Sequence, residues 1–170
     1  MNNDVLYEIR PNTTFGGIHI AQSWSDLYIL EQILTVEKPD IIIELGTKYG
    51  ASALFFNLFA KTYTFDIKDY GEPKNDNIIY TIVDIFENIE IIKSLINDHK
   101  KVFLFCDNGD KPKEFKIFAP LLKKDDLIFV HDYGVEIKDK DVTPLVTELH
   151  LIEIPTSHII KPSLLKGWRK

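Results

Sequence analysis

The sequence predicts an α/β protein built on a doubly wound, mostly parallel sheet with helices on both faces. Short apolar segments, several of which end in an acidic residue, alternate with segments of helical periodicity along the chain. The run Ile41-Ile42-Ile43 is continuously apolar, as is typical of a strand that is buried on both faces. Alternation of strands and helices at this spacing favours parallel strands that are joined by crossover helices.

The first helix is expected over residues 23–36. Ser23 and Asp26 have the spacing of a capping box, and Leu27, Leu30 and Leu34 recur at helical spacing and should face the sheet. Periodicity and turn signals then predict strands at 41–44, 62–66, 78–83, 102–106 and 127–130, helices at 51–60, 87–97 and 113–122, and two further strands at 142–149 and 151–154.

Length and composition favour one domain that covers residues 1–170. A chain of 170 residues with 45% hydrophobic residues is long enough to form one core. We expect an N-terminal extension over 1–20 and a solvated basic C-terminal tail over 156–170. The formal charge of −6 argues against general nucleic-acid binding, which needs a surface that neutralises phosphates.

A cytoplasmic protein is expected. Cys106 is the single cysteine, so no intrachain disulfide can form, and its place in an apolar run favours a core position. The first residues lack the basic start and long apolar segment of a secretory signal. No apolar run approaches the roughly 20 residues that span a bilayer, so no membrane contact is expected.

The segment from Asp40 to Ser52 is the strongest functional signal. Glu44 stands where the first predicted strand reaches the carboxyl edge of the sheet, the edge at which open α/β folds bind ligands. Gly46 and Gly50 allow the backbone to turn with positive φ and allow a ligand to approach closely. A helix that begins at this turn favours an anionic group near its first amides.

The spacing of these glycines selects among cofactors. A dinucleotide fingerprint needs G-x-G-x-x-G, whereas this chain has Gly46 and Gly50 with three residues between them. The pattern E-x-G-x-x-x-G-x-S instead resembles the first motif of class I S-adenosylmethionine-dependent methyltransferases. Later acidic strand ends follow that family's order over about residues 23–141, and they are Asp66, Asp84, Asp107 and Asp132.

The resemblance implies that S-adenosylmethionine is the cofactor. Asp66 lies 20 positions after Gly46, the distance at which an acidic residue can accept hydrogen bonds from both ribose hydroxyls. A carboxylate-lined edge also suits a cationic sulfonium better than it suits a pyrophosphate. The residues expected to contact the cofactor are Glu44, Gly46, Thr47, Gly50, Ser52, Asp66, Asp84 with Ile85 at the adenine, and Asp107.

The ends of the fourth and fifth predicted strands carry the candidate chemistry. Asp107, Asp132 and Asn108 offer oxygen ligands for a hard cation such as Mg²⁺ or Mn²⁺. His131 is a candidate general base, because its unperturbed pKa lies near working pH. Lysines 111, 113 and 116 follow this loop and are interpreted as a solvated helix face.

These segments look like the metal-assisted O-methyltransferases of the cephalosporin hydroxylase-like and macrolide-sugar branches. Those branches tend to carry D-x-D-H after the fourth strand and an acidic pair after the fifth. Here Asp107 begins D-N-G-D, and His131 precedes Asp132. Imidazole in place of one carboxylate softens the site and weakens the case for Mg²⁺ relative to Mn²⁺, or for any metal.

The sequence therefore predicts an S-adenosylmethionine-dependent methyltransferase that acts on a hydroxyl of a sugar or another small polar metabolite. A noncatalytic S-adenosylmethionine-binding or adenosine-binding partner subunit is the first alternative. A nicotinamide oxidoreductase is the second, and the missing middle glycine argues against it. No insertion that would form a substrate lid is evident, so an oligomer or a partner subunit is expected to complete the pocket.

Overall fold

The computed structural model describes residues 14–71, 75–156 and 163–170. A short antiparallel hairpin opens this part of the chain, with strands β1 (Thr14–Phe15) and β2 (Ile18–His19). Gly16 and Gly17 connect the two strands, and both have positive φ.

A seven-stranded sheet forms the centre of the molecule. Its strands are β3 (Ile41–Leu45), β4 (Lys61–Asp66), β5 (Ile78–Ile82), β6 (Val102–Cys106), β7 (Leu127–Val130), β8 (Ile152–Ile154) and β9 (Lys166–Arg169). They lie in the order β5-β4-β3-β6-β7-β9-β8. Strands β3 to β7 pair in parallel, and β9 is antiparallel to both β7 and β8. The order reverses between β3 and β6, which places a ligand crevice at their carboxyl ends.

Helices cover both faces of the sheet, as the sequence predicts. They are α1 (Trp24–Glu37), α2 (Ala51–Phe56), α3 (Ile89–Asp98), α4 (Lys111–Phe118), which continues into the 3₁₀ turn Ala119–Leu121, and α5 (Asp139–Glu148). One core cluster contains side chains of α1 and α2, and the other contains side chains of α3, α4 and α5. Ile42 belongs to the first cluster and Ile43 to the second, so β3 is buried on both faces.

The start of α1 confirms the predicted helix signal. The Ser23 hydroxyl accepts a hydrogen bond from the Asp26 amide at 3.0 Å, which satisfies one of the free donors at the helix N-terminus. Leu27, Leu30 and Leu34 are buried against the sheet. No helix in the described part of the chain is both long enough and apolar enough to cross a membrane.

Three predicted elements differ from the structure. Residues 142–149, which the sequence analysis predicts as a strand, lie mostly within helix α5, because Val142 and its helical neighbours pack on the core. The tail predicted at 156–170 instead contains β9, where Trp168 is buried in the sheet. Within the same strand a β-carbon at Gly167 would overlap the Phe129 ring. Helix α2 ends at Phe56, four residues earlier than predicted.

Candidate active site

A cavity of about 490 Å³ lies at the carboxyl ends of β3, β4, β6 and β7. Its volume falls within the range that small-molecule and cofactor sites occupy. The predicted site residues that line it are Gly46, Thr47, Ser52, Asp66, Asp107, Asn108, His131 and Asp132. The structure therefore brings most of the predicted residues to one crevice.

The turn after β3 forms one wall of this cavity. The amides of Gly46 and Thr47 both donate to the Phe65 carbonyl, at 2.8 and 3.2 Å, so the turn is tied to β4. Gly46 has a φ of 105°, and a β-carbon there would lie 2.5 Å from the Asp107 carbonyl oxygen. Only glycine permits this close approach of two strand ends. Gly50 also has positive φ and precedes α2, but it does not line the cavity.

Asp66 holds the turn and faces the cavity. One of its carboxylate oxygens accepts from the Lys48 amide at 2.8 Å, and the other accepts from the Lys68 amide at 3.0 Å. A carboxylate can accept about four hydrogen bonds, so each oxygen can still accept one from a ligand hydroxyl. This arrangement fits the predicted contact with ribose.

Glu44 lies behind this wall rather than in it. Its side chain is fully buried, accepts a hydrogen bond from the Thr64 hydroxyl at 2.5 Å, and does not line the cavity. Burial away from water raises the pKa of Glu44 to about 8, although hydrogen bonds from Ser52 and Thr64 oppose the shift. A direct contact between Glu44 and a ligand in this cavity is therefore not supported.

Asp84 and Ile85 also lie outside the cavity wall. The Asp84 carboxylate accepts a hydrogen bond from the Phe86 amide at 2.9 Å, and Ile85 is buried in the core cluster with Phe65. The two residues make a turn and a core contact in this structure. The resemblance implies that these residues contact the adenine, but neither of them lines this cavity.

The opposite wall contains a cluster of charged residues at the ends of β6 and β7. His131 Nδ1 lies 3.3 Å from Asp107 Oδ1 and 3.2 Å from Asp132 Oδ2. His131 Nε2 lies 3.5 Å from Asp26 Oδ2, an ion-pair distance that lacks hydrogen-bond geometry. Asp132 has a φ of 56°, a conformation that residues other than glycine seldom adopt and that often occurs at functional sites.

The charge state of His131 differs from the one that the sequence predicts. Burial favours the neutral imidazole, but the carboxylates of Asp107, Asp132 and Asp26 outweigh it and raise the pKa of His131 to about 12. The same contact with His131 holds the pKa of Asp132 well below its usual range. The three carboxylates therefore favour the cationic form of His131 near neutral pH, which works against the role as a general base expected from an unperturbed pKa; that role stays a prediction.

Lys111 is the residue of the cluster whose burial the sequence did not reveal. It was interpreted as part of a solvated helix face, yet it is only 3% exposed and lines the cavity. Its Nζ lies 3.0 Å from Asp132 Oδ2, 3.4 Å from Asp107 Oδ1 and 2.6 Å from Glu136 Oε2. Burial lowers the pKa of Lys111, but these carboxylates outweigh it and raise that pKa above its ordinary value.

Two further residues at this wall come from the segment around the start of α1. The Gln22 amide donates a hydrogen bond to Asp107 Oδ2 at 2.5 Å. Asp26 is fully buried, where it also accepts from Ser163 Oγ at 2.7 Å. The sequence offered only a helix-cap signal at Asp26, and its contacts depend on residues more than 100 positions away.

Asp107, His131 and Asp132 are suited to a metal ion in donor type and in spacing. One donor atom from each lies within 4.8 Å of the other two, and two of the three donors are carboxylate oxygens. The Asn108 side-chain oxygen accepts from the Gly109 amide at 2.8 Å, and its role as a metal ligand stays a prediction. The ammonium of Lys111 contacts the same two aspartates.

The sheet order, the glycine turn and the position of the cavity are those of the Rossmann-like methyltransferase fold. The sequence profile of the rhamnosyl O-methyltransferase/CmcI family matches residues 7–147, and the chain belongs to this family. The rhamnosyl O-methyltransferase of Mycobacterium tuberculosis H37Rv is 28% identical in an alignment 144 residues long that covers 72% of this chain and 58% of that protein. The chain thus spans somewhat more than half the length of this relative.

Two solved structures share the fold. Apo CmcI superposes with a TM-score of 0.69 at 12% identity, over 93% of this chain and 76% of that one. A CmcI structure with Mg and SAM superposes with a TM-score of 0.62 at 14% identity, over 91% of this chain and 76% of that one. At these identities the superpositions establish the common fold.

Proposed function

We propose that this protein is an S-adenosylmethionine-dependent methyltransferase that methylates a hydroxyl group of a sugar or a related small polar metabolite. One observation carries the proposal. A single cavity has the glycine turn and Asp66 on one side and the charged cluster of Asp107, Lys111 and Asp132 on the other. Cofactor and acceptor hydroxyl would then meet in that cavity.

The cofactor side has the features that adenosine recognition needs. Because Gly46 has no side chain, the ends of β3 and β6 lie close together and a ligand can approach the backbone there. Asp66 can still accept hydrogen bonds from two ribose hydroxyls. Carboxylates on the wall favour the positive charge of the sulfonium. S-adenosylmethionine supplies an electrophilic methyl group on that sulfonium, and residues of the chain would orient the acceptor and accept its proton.

The charged cluster would orient the acceptor hydroxyl and remove its proton. The new bond joins the methyl carbon to the hydroxyl oxygen while the bond from carbon to sulfur breaks, which leaves a neutral thioether and releases one proton. Asp132 lies on the cavity wall and can accept this proton. Its low pKa is sufficient, because the hydroxyl proton becomes strongly acidic as the oxygen gains the methyl group. Water then carries the proton away.

A divalent cation such as Mg²⁺ would be held by Asp107 and Asp132, together with His131 in its neutral form, and it would lower the pKa of a bound hydroxyl. It would first have to displace the Lys111 ammonium from the two aspartates. The M. tuberculosis relative, a rhamnosyl O-methyltransferase, supports a saccharide as the acceptor. We also propose that an oligomer or a partner subunit completes the pocket and that the protein is cytoplasmic. Its single, buried cysteine supports the second point.

Calorimetry with S-adenosylhomocysteine tests the cofactor assignment directly, with NAD as the competing ligand. Asp66→Ala should weaken binding by about 2 to 3 kcal/mol, because it removes charge-assisted hydrogen bonds to the ribose. Asp66→Asn keeps the size of the side chain but leaves only one oxygen to accept from the Lys48 and Lys68 amides, so its thermal melting shows how much of the loss comes from the turn. Asp98→Ala, an exposed carboxylate on α3, is the matched control. Unchanged binding by the folded Asp66 variants would mean that another residue or another cofactor occupies this site.

A further inference from the structure

We propose that the Lys111 ammonium is an internal cation that occupies the position of a divalent metal ion between Asp107 and Asp132 and competes with metal for that position. The competition is a property of the chain whatever reaction it catalyses. Only the consequence for methyl transfer rests on the proposed function.

The geometry places two cations on the same carboxylate oxygens. Asp107 Oδ1 lies 3.4 Å from Lys111 Nζ and 3.3 Å from His131 Nδ1. Asp132 Oδ2 lies 3.0 Å from Lys111 Nζ and 3.2 Å from His131 Nδ1. The oxygens that would bind a metal ion are therefore already shared by an ammonium and an imidazole.

Lys111 lies at an unfavourable position in helix α4, and its carboxylate partners compensate for that position. Lys111 is the first residue of the helix, directly after the capping residue Asp110, and a cation in the first turn opposes the helix dipole. A buried ammonium is also costly unless it is paired. Three carboxylates and the Asn108 carbonyl, at 3.2 Å, surround it with four acceptors for its three N–H donors.

A divalent ion would have to remove Lys111 from this position. Mg²⁺ binds oxygen at about 2.0 to 2.1 Å, which requires the same lone pairs that Lys111 and His131 now contact. At such separations like charges repel strongly, the more so in a partly buried site. If the proposed function holds, the ammonium supplies positive charge beside the acceptor oxygen, and methyl transfer needs no metal.

Binding of Mn²⁺, followed by electron paramagnetic resonance and by calorimetry, tests the competition without an activity assay. The probe is Mn²⁺ alone, and the proteins are the wild type, Lys111→Met and Lys116→Met. Methionine has nearly the length of lysine without its charge, and Lys116 is an exposed lysine of the same helix. Lys111→Met should bind Mn²⁺ about a hundredfold more tightly than the wild type or more, because a like charge leaves the site. Lys116→Met should match the wild type.

The added variant Lys111→Met with Asp132→Asn locates the ion. It should lose the gain in affinity, because Asp132 would be a ligand. Tight Mn²⁺ binding by the wild type, equal to that of Lys111→Met, would overturn the proposal. If Lys111→Met does not fold, as thermal melting would show, the wild-type affinity decides alone: weak binding supports the proposal, and tight binding contradicts it.

Activity adds a second measurement. Wild-type methyl transfer should be unchanged in EDTA, and a loss that Mn²⁺ restores would contradict the internal cation. A protein that does not bind S-adenosylhomocysteine would contradict the proposed function but would leave the Mn²⁺ result intact. The two failures are therefore distinguishable.

Discussion

The two halves of the carboxyl edge of the sheet shift the pKa of their acidic side chains in opposite directions. At the end of β3, burial raises the pKa of Glu44 to about 8, although hydrogen bonds from the Ser52 and Thr64 hydroxyls oppose the shift, so Glu44 is largely protonated near neutral pH. At the ends of β6 and β7, Asp132 contacts an imidazolium and an ammonium, and its pKa falls. Burial alone therefore does not determine the charge of a carboxyl group; the partner that the fold provides does.

The difference in charge suggests a different function for each half. We call the region around Glu44 the neutral half and the region around Asp107, His131 and Asp132 the charged half. The neutral half connects β3, β4 and the glycine turn through the hydroxyls of Thr47 and Thr64, which lie 2.6 Å apart. The charged half presents ionised groups to the cavity. We infer that the first half shapes the cofactor wall and that the second half carries the chemistry. The following variants should break or sharpen this division.

The largest effect is expected at Asp26, which anchors the charged half from helix α1. Asp26→Ala should lower the free energy of unfolding by about 3 to 5 kcal/mol, because it removes one partner of a buried ion pair. It also leaves the Ser163 hydroxyl and the Leu164 amide without their acceptor. Urea denaturation measures the loss. Glu31→Ala, exposed on the same helix, should change stability by less than about 0.5 kcal/mol, and an equal loss there would remove the special role of Asp26.

Gly46 joins the two halves, because its turn contacts the backbone of Asp107. Gly46→Ala should destabilise the fold by about 2 to 4 kcal/mol, through positive φ and overlap with the Asp107 carbonyl. Gly134→Ala separates these two causes, since Gly134 has a φ of 89° but open space around its α-carbon. It should cost about 1 kcal/mol. Equal losses in urea denaturation would show that the close approach contributes nothing.

Asp132 tests whether the charged half carries the chemistry. Asp132→Ala should lower the rate of methyl transfer by about a hundredfold or more, the scale of losing a positioned proton acceptor. Affinity for S-adenosylhomocysteine should stay nearly constant, because the cofactor wall lies on the other half. Steady-state kinetics and calorimetry measure the two quantities. A variant that loses cofactor affinity in parallel with its rate would contradict the division.

The fold was largely predictable because its signals are local. Ser23 caps α1, and the continuous apolar run at Ile41 marks a strand buried on both faces, as periodicity alone predicts. Strand β9 was missed because Lys166 and Arg169 flank its buried Trp168 and imitate a solvated tail. Its place depends on pairing with β7 and β8, which no local pattern shows.

The site was predictable only in part for the same reason. Strand ends collect at one edge of a parallel sheet, so the aspartates of β4, β6 and β7 could be placed at one crevice from the sequence. Lys111 could not be distinguished from Lys113 and Lys116, because its burial depends on carboxylates from two separate segments, those that follow β6 and β7. The charge of His131 follows from that same assembly, which an unperturbed pKa does not anticipate.

The smallest effect concerns the neutral half and appears as a dependence of stability on pH. The pKa of Glu44 rises from 4.5 to about 8 on folding, so the folded protein binds the proton more tightly than the unfolded chain does. This contribution is complete below the unfolded pKa and is lost as pH rises through the folded pKa, so stability should fall with rising pH. Glu114, also buried with a pKa of about 8, adds to the slope. Glu44→Gln should flatten the change between about pH 5 and 6.5, by about 1 to 2 kcal/mol, in urea denaturation at each pH.

That interval isolates the buried glutamates from His131. The pKa of His131 is raised from 6.5 to about 12, so its contribution is complete below 6.5 and is lost only above that pH. Glu90→Gln, an exposed glutamate on α3, is the control and should keep the wild-type slope. If Glu44→Gln also keeps that slope, Glu44 is ionised in the folded protein. The two halves of the edge would then hold their carboxylates in the same state.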